Sequence, residues 1–439
     1  MYACGPTVYD LPHLGHGRYT LVWDVARRWF TFRGLDVRFV SNITDIDDNI
    51  INRALRDDTT ETDIARTYEH QWWAAMDLIG VARPDDTPHA TKFVAEMTEL
   101  IASFLESGVG YLTSDGVYFD VSRVKDYGLL AGQPLESLRA GARVEANDEK
   151  RSPLDFALWK FAKPGEPSWP APFGDGRPGW HTECVVMSLA LLGDGFDLHV
   201  GGFDLKFPHH ENERAQAVSQ GRDFAQHWSH SGWVMVGSEK MSKSLGNFTS
   251  LTDLLEKTDA RAYRLLVLRS HYRSPIEVTP ATIADAERAL LRLDTLARRF
   301  DLAALAGNAL EVATDFTWTE ETGKLCEKVG AYLDNDLDTP LAVAALFEAV
   351  STANTAADKG EDARGKELAL AVNALFGALG LQLLSSSHHM DDLSATLVAE
   401  RDEARFTKNW AEADRLRDEL VKLGWVVEDS ASGTTIRKP

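Results

Sequence analysis

Residues 177–213 constrain this chain more than any other stretch, because they combine a thiol, an imidazole and a carboxylate in RPGWHTECVVMSLALLGDGFDLHVGGFDLKFPHHENE. His209 and Glu213 are four residues apart, so a helix would place both side chains on one face. Cys184 lies in an earlier segment, and Cys4 is the only other cysteine near a motif. Zinc prefers ligands of these kinds, so the four residues form a candidate zinc site. The stretch alone leaves an alternative open, in which Cys184 is a small core residue and HHENE a polar helix start.

The composition is that of an ordinary soluble globular protein. With 439 residues, 44% hydrophobic and 26% charged, the chain is long enough for about three domains. No apolar run approaches the roughly 20 residues that cross a bilayer, and no signal peptide precedes Met1, so we expect a cytoplasmic protein. Three cysteines cannot build a disulfide framework. The net charge of −21 argues against indiscriminate nucleic-acid coating, but it allows one specific RNA held by local basic patches.

The N-terminal residues are typical of a phosphate-binding strand–turn–helix. Residues 1–8 predict a short buried strand that ends in a Gly-Pro turn. PHLGH follows at residues 12–16, and an amphipathic helix comes next. Backbone N–H groups and the positive end of the helix dipole would face an anion there, and His13 and His16 could donate further hydrogen bonds. For HLGH alone, two surface histidines near a turn remain the more frequent meaning.

Two loops further along carry charge that could have a function. Asp45, Asp47 and Asp48 could bind a cation, but we favour the capping of the helix that follows them. Residues 240–244, KMSKS, place two lysines in a flexible loop that could follow migrating negative charge on a polyphosphate. A solvated basic turn is the alternative for such a loop. Between these loops, residues 64–80 and 92–107 predict amphipathic helices, and short strands after residue 108 indicate an insertion.

The last third of the chain is predicted to be mostly helical. Residues 251–300 form helices with a basic tract of Arg261, Arg264, Arg269, His271, Tyr272 and Arg273. Residues 319–383 are helical without evident chemistry, and residues 385–392 are the best linker candidate. A small unit follows, with helices over 393–405 and 410–423 and then two strands. Its Trp410 and Trp425 are candidates for stacking on bases, among the arginines and lysines Arg401, Arg405, Lys408, Arg415 and Arg417.

PHLGH and KMSKS together resemble the paired signatures of class I aminoacyl-tRNA synthetases, which activate an amino acid with ATP on a Rossmann-type fold. The stretches CGPTVYDLPHLGH, NITDIDD, RPGWHTEC, FPHHENE and KMSKSLGN are similar to those of the cysteinyl-tRNA synthetase family in particular. The resemblance covers essentially the whole chain, including the C-terminal NWAEADRLRDEL. Each motif alone is weak, but the set in this order is very specific.

The resemblance implies an α/β fold with a doubly wound parallel sheet of Rossmann type, an insertion, a helical domain and a small C-terminal α+β unit. It divides the chain into a first catalytic half (1–92), a connective insertion (93–168), a second catalytic half (169–233), a KMSKS and stem-contact region (234–298), a helical bundle (299–385) and an anticodon-binding domain (391–439). Members of the family carry roughly twenty residues ahead of the first strand. Val200 stands where many members have glycine, yet Gly201 and Gly202 remain, so we expect close backbone approach to ATP.

The implied function is that of a cysteine–tRNA ligase. L-Cysteine attacks the α-phosphorus of ATP, pyrophosphate leaves, and the cysteinyl group passes to the 3′ end of tRNA(Cys). About one zinc per chain would select the substrate thiolate, Mg²⁺ would accompany ATP, and the protein would act as a monomer. The implied sites are His13, His16, Lys240 and Lys243 for catalysis; His13, Gly15, His16, Gly202, Asp204 and Lys243 for ATP; Thr44, Trp180 and His199 for cysteine; Cys4, Cys184, His209 and Glu213 for the metal; and Arg405, Asp414 and Asp429 for the tRNA anticodon.

Other functions fit the sequence less well. The related ligase that joins cysteine to a glucosaminyl-inositol in thiol biosynthesis would share the zinc and ATP motifs, but it does not need the C-terminal unit. A non-catalytic RNA-binding paralogue would be expected to have lost HLGH or KMSKS, and both are present. A zinc hydrolase is disfavoured because HHENE lacks the HExxH spacing.

Overall fold

The computed structural model describes residues 1–132, 149–236, 239–240, 250–305, 316–385, 392–430 and 433–437. Within these ranges the strands are β1 (Tyr2–Ala3), β2 (Val40–Ser41), β3 (Gly110–Leu112), β4 (Gly116–Phe119), β5 (Phe156–Phe161), β6 (Gly176–Pro178), β7 (Leu198–Gly202), β8 (His227–Ser231), β9 (Val234–Val236), β10 (Glu239–Lys240), β11 (Ile276–Glu277), β12 (Val426–Ser430) and β13 (Gly433–Arg437). The α-helices are α1 (Leu14–Phe32), α2 (Asp48–Asp57), α3 (Glu61–Leu78), α4 (Val94–Ser107), α5 (Trp180–Leu192), α6 (Glu211–Ser219), α7 (Leu251–Leu255), α8 (Ala260–Leu268), α9 (Pro280–Phe300), α10 (Glu320–Leu333), α11 (Thr339–Asp358), α12 (Asp362–Ala378), α13 (Asp392–Phe406) and α14 (Trp410–Lys422).

A parallel sheet forms the centre of the N-terminal half, with the strand order β2–β1–β7–β8. Tyr2 pairs with both Val40 and His199, and Val200 pairs with Ser229. Parallel neighbours need crossover connections, and α1 supplies the one between β1 and β2. Such sheets are covered on both faces, which agrees with the burial of Tyr2, Val40 and Val200. The predicted α/β fold with a parallel sheet of Rossmann type is confirmed.

Helix α1 packs on two cores at once. Leu21, Trp23 and Ala26 belong to the apolar cluster on the sheet. Val25 and Trp29 belong instead to the larger cluster that α8 to α12 form. Residues that belong to different clusters alternate along this part of the helix, so both of its faces are buried. Helix α1 therefore connects the sheet to the helical region.

The remaining units are smaller. Strands β3 to β6 form an antiparallel sheet in sequence order, so the predicted change to short strands after residue 108 is confirmed. Strands β10, β9 and β11 form a second small sheet, in which β9 pairs antiparallel with β10 and parallel with β11. Helices α13 and α14 pack on the β12–β13 hairpin around Leu416, Leu420 and Trp425. The domain bounds given above stay predictions, and the linker candidate at 385–392 lies almost wholly outside the described residues.

The acidic loop before α2 has the structural role that the sequence favoured. Asp47 precedes the helix and its side chain accepts a hydrogen bond from the backbone N–H of Asn49 at 2.8 Å. Asp45 accepts from both the backbone and the hydroxyl of Thr91. Asp48 pairs with Lys160 at 2.7 Å. Capping is therefore confirmed. Among the described residues, no helix is both long and apolar enough to span a membrane.

Candidate functional site

The four predicted metal ligands come together in one buried cluster. Cys4 follows β1, and Cys184 lies in the second turn of α5. His209 lies in the short helical segment just before α6, and Glu213 lies in the first turn of α6. Their ligand atoms all lie within 4.8 Å of one another. The Sγ atom of Cys4 is 3.6 Å from the Sγ of Cys184 and 3.4 Å from Oε1 of Glu213. Each of the four side chains is at most 3% exposed.

These distances fit a tetrahedral zinc ion. Two sulfurs bound at about 2.3 Å would lie about 3.8 Å apart, and a nitrogen and an oxygen bound at about 2.1 Å would lie about 3.4 Å apart. In the protein the two sulfurs are 3.6 Å apart, and Nε2 of His209 is 3.0 Å from Oε1 of Glu213. That nitrogen makes no hydrogen bond although it is buried. A buried nitrogen with this environment is suited to a metal ligand.

A second set of ligands, Cys4, His199, His210 and Glu213, overlaps the first. Here the nitrogens are already engaged: Nε2 of His199 lies 2.7 Å from Oε2 of Glu213, and Nε2 of His210 lies 3.3 Å from Sγ of Cys4. A separation of 2.7 Å is that of a hydrogen bond and is shorter than two ligands of one tetrahedral zinc would show. The first set therefore fits zinc better, and the second set surrounds it.

Burial controls the ionisation of the cluster. Burial first, and then the neighbouring Cys184 and Glu213, raise the pKa of Cys4 well above its ordinary value. Burial is also the main cause of the raised pKa of Cys184. Burial lowers the pKa of His209 well below its ordinary value, with His181 and His199 adding to the effect. The imidazole is therefore neutral and can bind a cation, whereas the thiols need a cation to favour their thiolate form.

Two of the predicted cysteine-binding residues hold the ligands in place. The indole of Trp180 stacks on the ring of His209, with 4.0 Å between centroids and 26° between planes. His199 holds Oε2 of Glu213 and stacks on Trp228 at 4.6 Å. Because Oε2 is engaged in this way, Oε1 of Glu213 is the oxygen that points toward the sulfurs and His209.

Thr44, the third of these residues, is buried beside the cluster. Its hydroxyl donates a 2.7 Å hydrogen bond to Oε2 of Glu183, the residue that precedes Cys184. Burial raises the pKa of Glu183 well above its ordinary value, while the hydrogen bond from Thr44 acts in the opposite direction. Asn42 also lies at the edge of the cluster, where its side-chain oxygen accepts a hydrogen bond from the backbone N–H of Gly5, the residue after Cys4, at 2.8 Å. Thr44 therefore lies beside α5, the helix that carries Cys184.

His13 and His16 form a reciprocal cap at the start of α1. Nδ1 of each ring accepts the backbone N–H of the other residue at 3.2 Å, and the rings stack at 3.6 Å. Since Nδ1 accepts a hydrogen bond in each ring, a neutral imidazole must carry its own proton on Nε2. Both histidines therefore present an Nε2–H donor. Gly15 lies between them in the first turn.

Tyr19 connects this helix to the metal cluster and to Asp204. Its ring is 6.4 Å from that of His16. Burial first, and then Cys4 and Asp204, raise the pKa of Tyr19 above its ordinary value. Tyr19 therefore lies within electrostatic range of the thiols and of the predicted ribose-binding carboxylate. A Cβ atom on Gly202 would lie 2.6 Å from Oδ1 of Asp204, so this position needs glycine while the carboxylate keeps its place.

The lysine loop is described only at its two ends. Lys240 ends β10, and its backbone pairs with Met235 of β9; its side chain, and Lys243 as a whole, lie outside the described residues. The chain returns at Ser250, which forms a backbone bridge with His13. The backbone N–H of Leu251 donates to the carbonyl of Pro12 at 2.9 Å. The residues that follow the predicted catalytic lysines, Ser250 and Leu251, thus contact the HLGH turn through their backbone.

The basic tract that the sequence suggested is largely neutralised. Arg264 is 1% exposed and pairs with Asp24 at 2.8 Å. Arg261, Arg269 and Arg273 pair with Asp294, Asp285 and Asp336. The tract is therefore mostly a structural network and not an open basic patch.

The C-terminal unit requires two corrections. Trp425 is 3% exposed and donates to Ser394 at 2.8 Å, so it belongs to the core and cannot stack on a base. Arg401 is also buried and donates to Thr434 at 2.5 Å. These two side chains were wrongly expected to face RNA. Arg415 pairs with Glu412 and Glu419 on the helix surface and remains exposed.

A different set of side chains forms the accessible face of this unit. Trp410 is 61% exposed, and Phe406, which the sequence analysis did not single out, is 85% exposed. Asp414 and Arg417 are exposed one and two turns after Trp410, on the same face of α14. Arg405 is half-buried at the end of α13, and the backbone of Asp429 lies in β12.

Several functional candidates were missed from sequence. His181 contacts His209 through their two Nδ1 atoms at 2.9 Å, and His210 contacts His230 at 2.9 Å. Glu183 and Arg18 are two further buried polar residues close to the predicted sites. His181 and Glu183 lie within the RPGWHTEC motif, so the motif itself was the available signal. Nothing comparable distinguishes Arg18.

Family models match most of the chain. A model described as tRNA synthetases class I (C) catalytic domain matches residues 1–288. A DALR domain model matches residues 328–384, and a model described as Cysteinyl-tRNA ligase anticodon binding domain matches residues 390–437. The three models follow the order of the sheet, the helical region and the C-terminal unit.

Curated relatives and solved structures agree with these matches. The cysteine–tRNA ligase of Dechloromonas aromatica is 43% identical over 452 residues, which cover 100% of this chain and 94% of the relative. That of Laribacter hongkongensis is 43% identical over 450 residues, with the same shares. The methionyl-tRNA synthetase of Mycobacterium tuberculosis in complex with methionyl-adenylate has a TM-score of 0.61 at 16% identity, covering 86% of this chain and 89% of that chain. The LeuRS of Agrobacterium radiobacter in its ternary complex has a TM-score of 0.62 at 14% identity, covering 87% and 83%.

The two solved structures show the fold alone, whereas the family models and the curated relatives cover the chain from its first residue to its C-terminal unit. Together with the buried cluster of two cysteines, a histidine and a glutamate, these matches show that the chain belongs to the cysteine–tRNA ligase family of class I aminoacyl-tRNA synthetases.

Proposed function

We propose that this chain activates L-cysteine with ATP and transfers the cysteinyl group to the 3′ end of tRNA(Cys). The observation that carries the proposal is the buried cluster of Cys4, Cys184, His209 and Glu213, which lies near the HLGH turn in a chain of this family. A class I catalytic domain explains the ATP chemistry, and the cluster explains the choice of amino acid. The anticodon-binding domain match explains the choice of RNA.

Cys4, Cys184, His209 and Glu213 would hold one zinc ion, with Trp180, His199 and Thr44 around the substrate. Bound zinc would supply a soft Lewis acid that takes a thiolate as a further ligand. Two thiolates and one carboxylate outweigh the charge of Zn²⁺, so such a site favours sulfur over the neutral hydroxyl of serine. A pocket built to bind one particular group can reject an analogue that lacks it by a large factor, whereas an apolar pocket cannot.

Adenylate formation would depend on His13, His16 and the two lysines of KMSKS. The Nε2–H groups of the histidine pair donate to the phosphoryl oxygens as charge builds in the transition state. Their shared cap fixes both rings before substrate arrives, so little reorganisation is needed. Lys240 and Lys243 would act on the same charge, and Mg²⁺ would accompany ATP. Gly202 and Asp204 would lie beside the adenosine and its ribose.

The tRNA anticodon would lie on the accessible face of the C-terminal unit. Unpaired bases are recognised by aromatic stacking together with hydrogen-bonding side chains. Trp410 offers the ring, and Asp414 offers a carboxylate one turn away. Arg405 and Asp429 are the further predicted contacts. The monomeric state and the cytoplasmic location that the sequence predicted stay predictions.

The test is a pair of assays with matched substrates. Cysteine-dependent ATP–pyrophosphate exchange is measured first, with serine in place of cysteine as the control. Charging of tRNA that bears the cysteine anticodon is measured next. We expect exchange with cysteine but not with serine, and charging of that tRNA. Exchange without charging would favour the thiol-biosynthesis ligase, and neither activity would favour a non-catalytic paralogue, so either result overturns the proposal.

A further inference from the structure

The most unusual buried charge outside the metal cluster is Arg18, in the second turn of α1. Its side chain is 1% exposed, and no ion pair among the described residues includes it. Burial lowers its pKa to about 10, with Tyr263 acting in the opposite direction. The guanidinium is therefore still charged near neutral pH. An isolated charge is costly to bury unless hydrogen bonds satisfy it.

Backbone carbonyls from two separate segments accept hydrogen bonds from the two terminal nitrogens of the guanidinium, whereas its buried Nε has no hydrogen-bond partner among the described residues. Nη1 donates to the carbonyl of Trp233 at 2.5 Å. Nη2 donates to the carbonyl of Tyr272 at 3.1 Å and also to that of Ser274, and the carbonyl of His271 lies 3.5 Å away. The planar fork of arginine suits this arrangement, because its donors point in several fixed directions. A lysine ammonium is a point charge and cannot reach both segments in the same way.

These carbonyls lie where two paired strands begin. Trp233 precedes β9, and Ser274 lies two residues before β11, which pairs with β9. The two segments touch: the backbone N–H of Gly232 donates to the carbonyl of Tyr272 at 2.7 Å. A Cβ atom on Gly232 would lie only 2.6 Å from the carbonyl oxygens of Arg273 and Ser274. Arg18 therefore binds a compact junction and not a single exposed loop.

This junction supports the hairpin that leads into the lysine loop. Strand β9 continues into β10, where Lys240 pairs with Met235. The chain then passes through KMSKS and returns at Ser250, beside His13. The returning end is thus attached to the HLGH turn by backbone contacts, and the outgoing end is attached to α1 through Arg18. The histidines and the guanidinium belong to the first two turns of the same helix.

We propose that Arg18 is a positioning residue for adenylate formation, which holds the base of the β9–β10 hairpin against α1 so that the KMSKS lysines and the HLGH histidines act on the same phosphoryl group. The proposal rests on the proposed function, because it concerns the rate of that reaction. Among the described residues, Arg18 donates hydrogen bonds to the carbonyls of the junction and to none of the predicted metal-binding or cysteine-binding residues. Its loss should therefore change the rate of the chemical step and not the binding of cysteine or zinc.

The first experiment compares Arg18→Lys with Arg27→Lys. Arg27 is a matched control on the same helix: its side chain is 2% exposed, and it donates to the carbonyl of Arg83 and to Asp85, away from the hairpin. Active-site titration gives the fraction of competent enzyme, and single-turnover kinetics gives the rate constant of adenylate formation. A misplacement of about 1 Å can cost on the order of 100-fold in rate. We expect a loss of that order for Arg18→Lys with full burst amplitude, cysteine affinity and zinc content, and no loss for Arg27→Lys.

A second experiment asks whether Arg18 acts through the lysine loop. Arg18→Lys is introduced into a Lys243→Ala background, and the rate constants are compared in a double-mutant cycle. If Arg18 positions the loop, its substitution loses most of its effect once the lysine is absent. Equal fold-losses in both backgrounds would overturn the proposal, as would a wild-type rate for Arg18→Lys.

A third variant covers the case in which Arg18→Lys does not fold. Gly232→Ala keeps the guanidinium but forces its acceptors apart, so it should reduce the rate constant in the same way. A wild-type rate for Gly232→Ala would then overturn the proposal. Failure of the proposed function itself is recognised separately, because the wild-type protein would then show no cysteine-dependent pyrophosphate exchange at all.

Discussion

The contact between His181 and His209 permits a quantitative test of the zinc site. Their Nδ1 atoms are 2.9 Å apart, so one of the two carries the shared proton. If Nε2 of His209 binds zinc, the proton of that neutral ring must be on Nδ1. His209 then donates, and His181 accepts. Burial first, with Lys160 adding to it, lowers the pKa of His181 to about 3, so its ring is neutral and can accept at ordinary pH.

The size of the effect follows from what happens when the acceptor is removed by His181→Leu. In the zinc-free protein, His209 can shift its proton to Nε2, which lies 3.0 Å from Oε1 of Glu213. The two atoms are not aligned as a hydrogen bond, but a small rotation of the ring would align them, so little is lost. In the zinc-bound protein the proton must stay on Nδ1, where it is buried without a partner. Such a group costs about 1–3 kcal/mol, which corresponds to about a 5- to 150-fold loss of zinc affinity. Residues that orient metal ligands generally contribute about 10- to 100-fold.

The measurement is competition for zinc between the protein and a chromophoric chelator at fixed pH. His181→Asn is the matched control, because its amide oxygen can occupy nearly the position of Nδ1 and accept the same proton. We expect His181→Leu to lose zinc affinity within the calculated range and His181→Asn to retain most of it. Wild-type affinity in His181→Leu, or an equal loss in both variants, would show that His209 does not bind zinc through Nε2.

Three further predictions concern the other sites. Cys184→Ser should lose about one zinc per chain and cysteine activation while the fold is kept, which metal analysis and circular dichroism check; a zinc-free variant with full activity would contradict the ligand assignment. Lys243→Ala should slow adenylate formation by roughly 3–4 kcal/mol in activation free energy and leave cysteine affinity unchanged, and the reverse pattern would exclude a transition-state role. Trp410→Ala should raise the KM for tRNA without changing pyrophosphate exchange, whereas Leu393→Ala, a 58% exposed control at the start of α13 and away from that face, should change neither; equal effects would remove the stacking role.

Only part of the candidate ligand set follows from local spacing, because Cys4 and Cys184 are 180 residues apart and were chosen by residue type and by the family resemblance. His209 and Glu213 share a helical face, and few residue types bind zinc. What the sequence could not show is which nitrogen or oxygen of each ligand is available. That depends on His181, which holds Nδ1 of His209, and on His199, which holds Oε2 of Glu213. Both contacts join segments that are 28 and 14 residues apart and so leave no periodic pattern.

The wrong expectations about the basic tract and about Trp425 have a common physical origin. In both cases the partner of the side chain is distant in sequence. In the sequence, Arg264 looks like part of a basic tract. In the structure it pairs with Asp24, which lies 240 residues earlier in the chain. Trp410 and Trp425 look equivalent in composition. Trp425, however, follows a glycine turn into a strand, where its indole packs inward and donates to Ser394, whereas Trp410 begins a helix on the outer side. Burial of such side chains is decided by tertiary packing and not by local pattern.

The HLGH turn is largely polar, and its position is fixed by the buried charged residues of helix α1, which follows it. Arg18 and Arg27 bind backbone carbonyls in two different parts of the chain. Asp24 is enclosed by Arg28 and Arg264, each at 2.8 Å. An apolar helix surface tolerates small shifts, because apolar contacts are not directional. Buried hydrogen-bonded charges do not tolerate such shifts, since removing one partner of a buried pair lowers the stability by about 3–5 kcal/mol. A displacement of α1 by one turn would break the contacts of Arg18 and of Asp24 together, so the position of the catalytic turn depends on the first half of the helix that follows it.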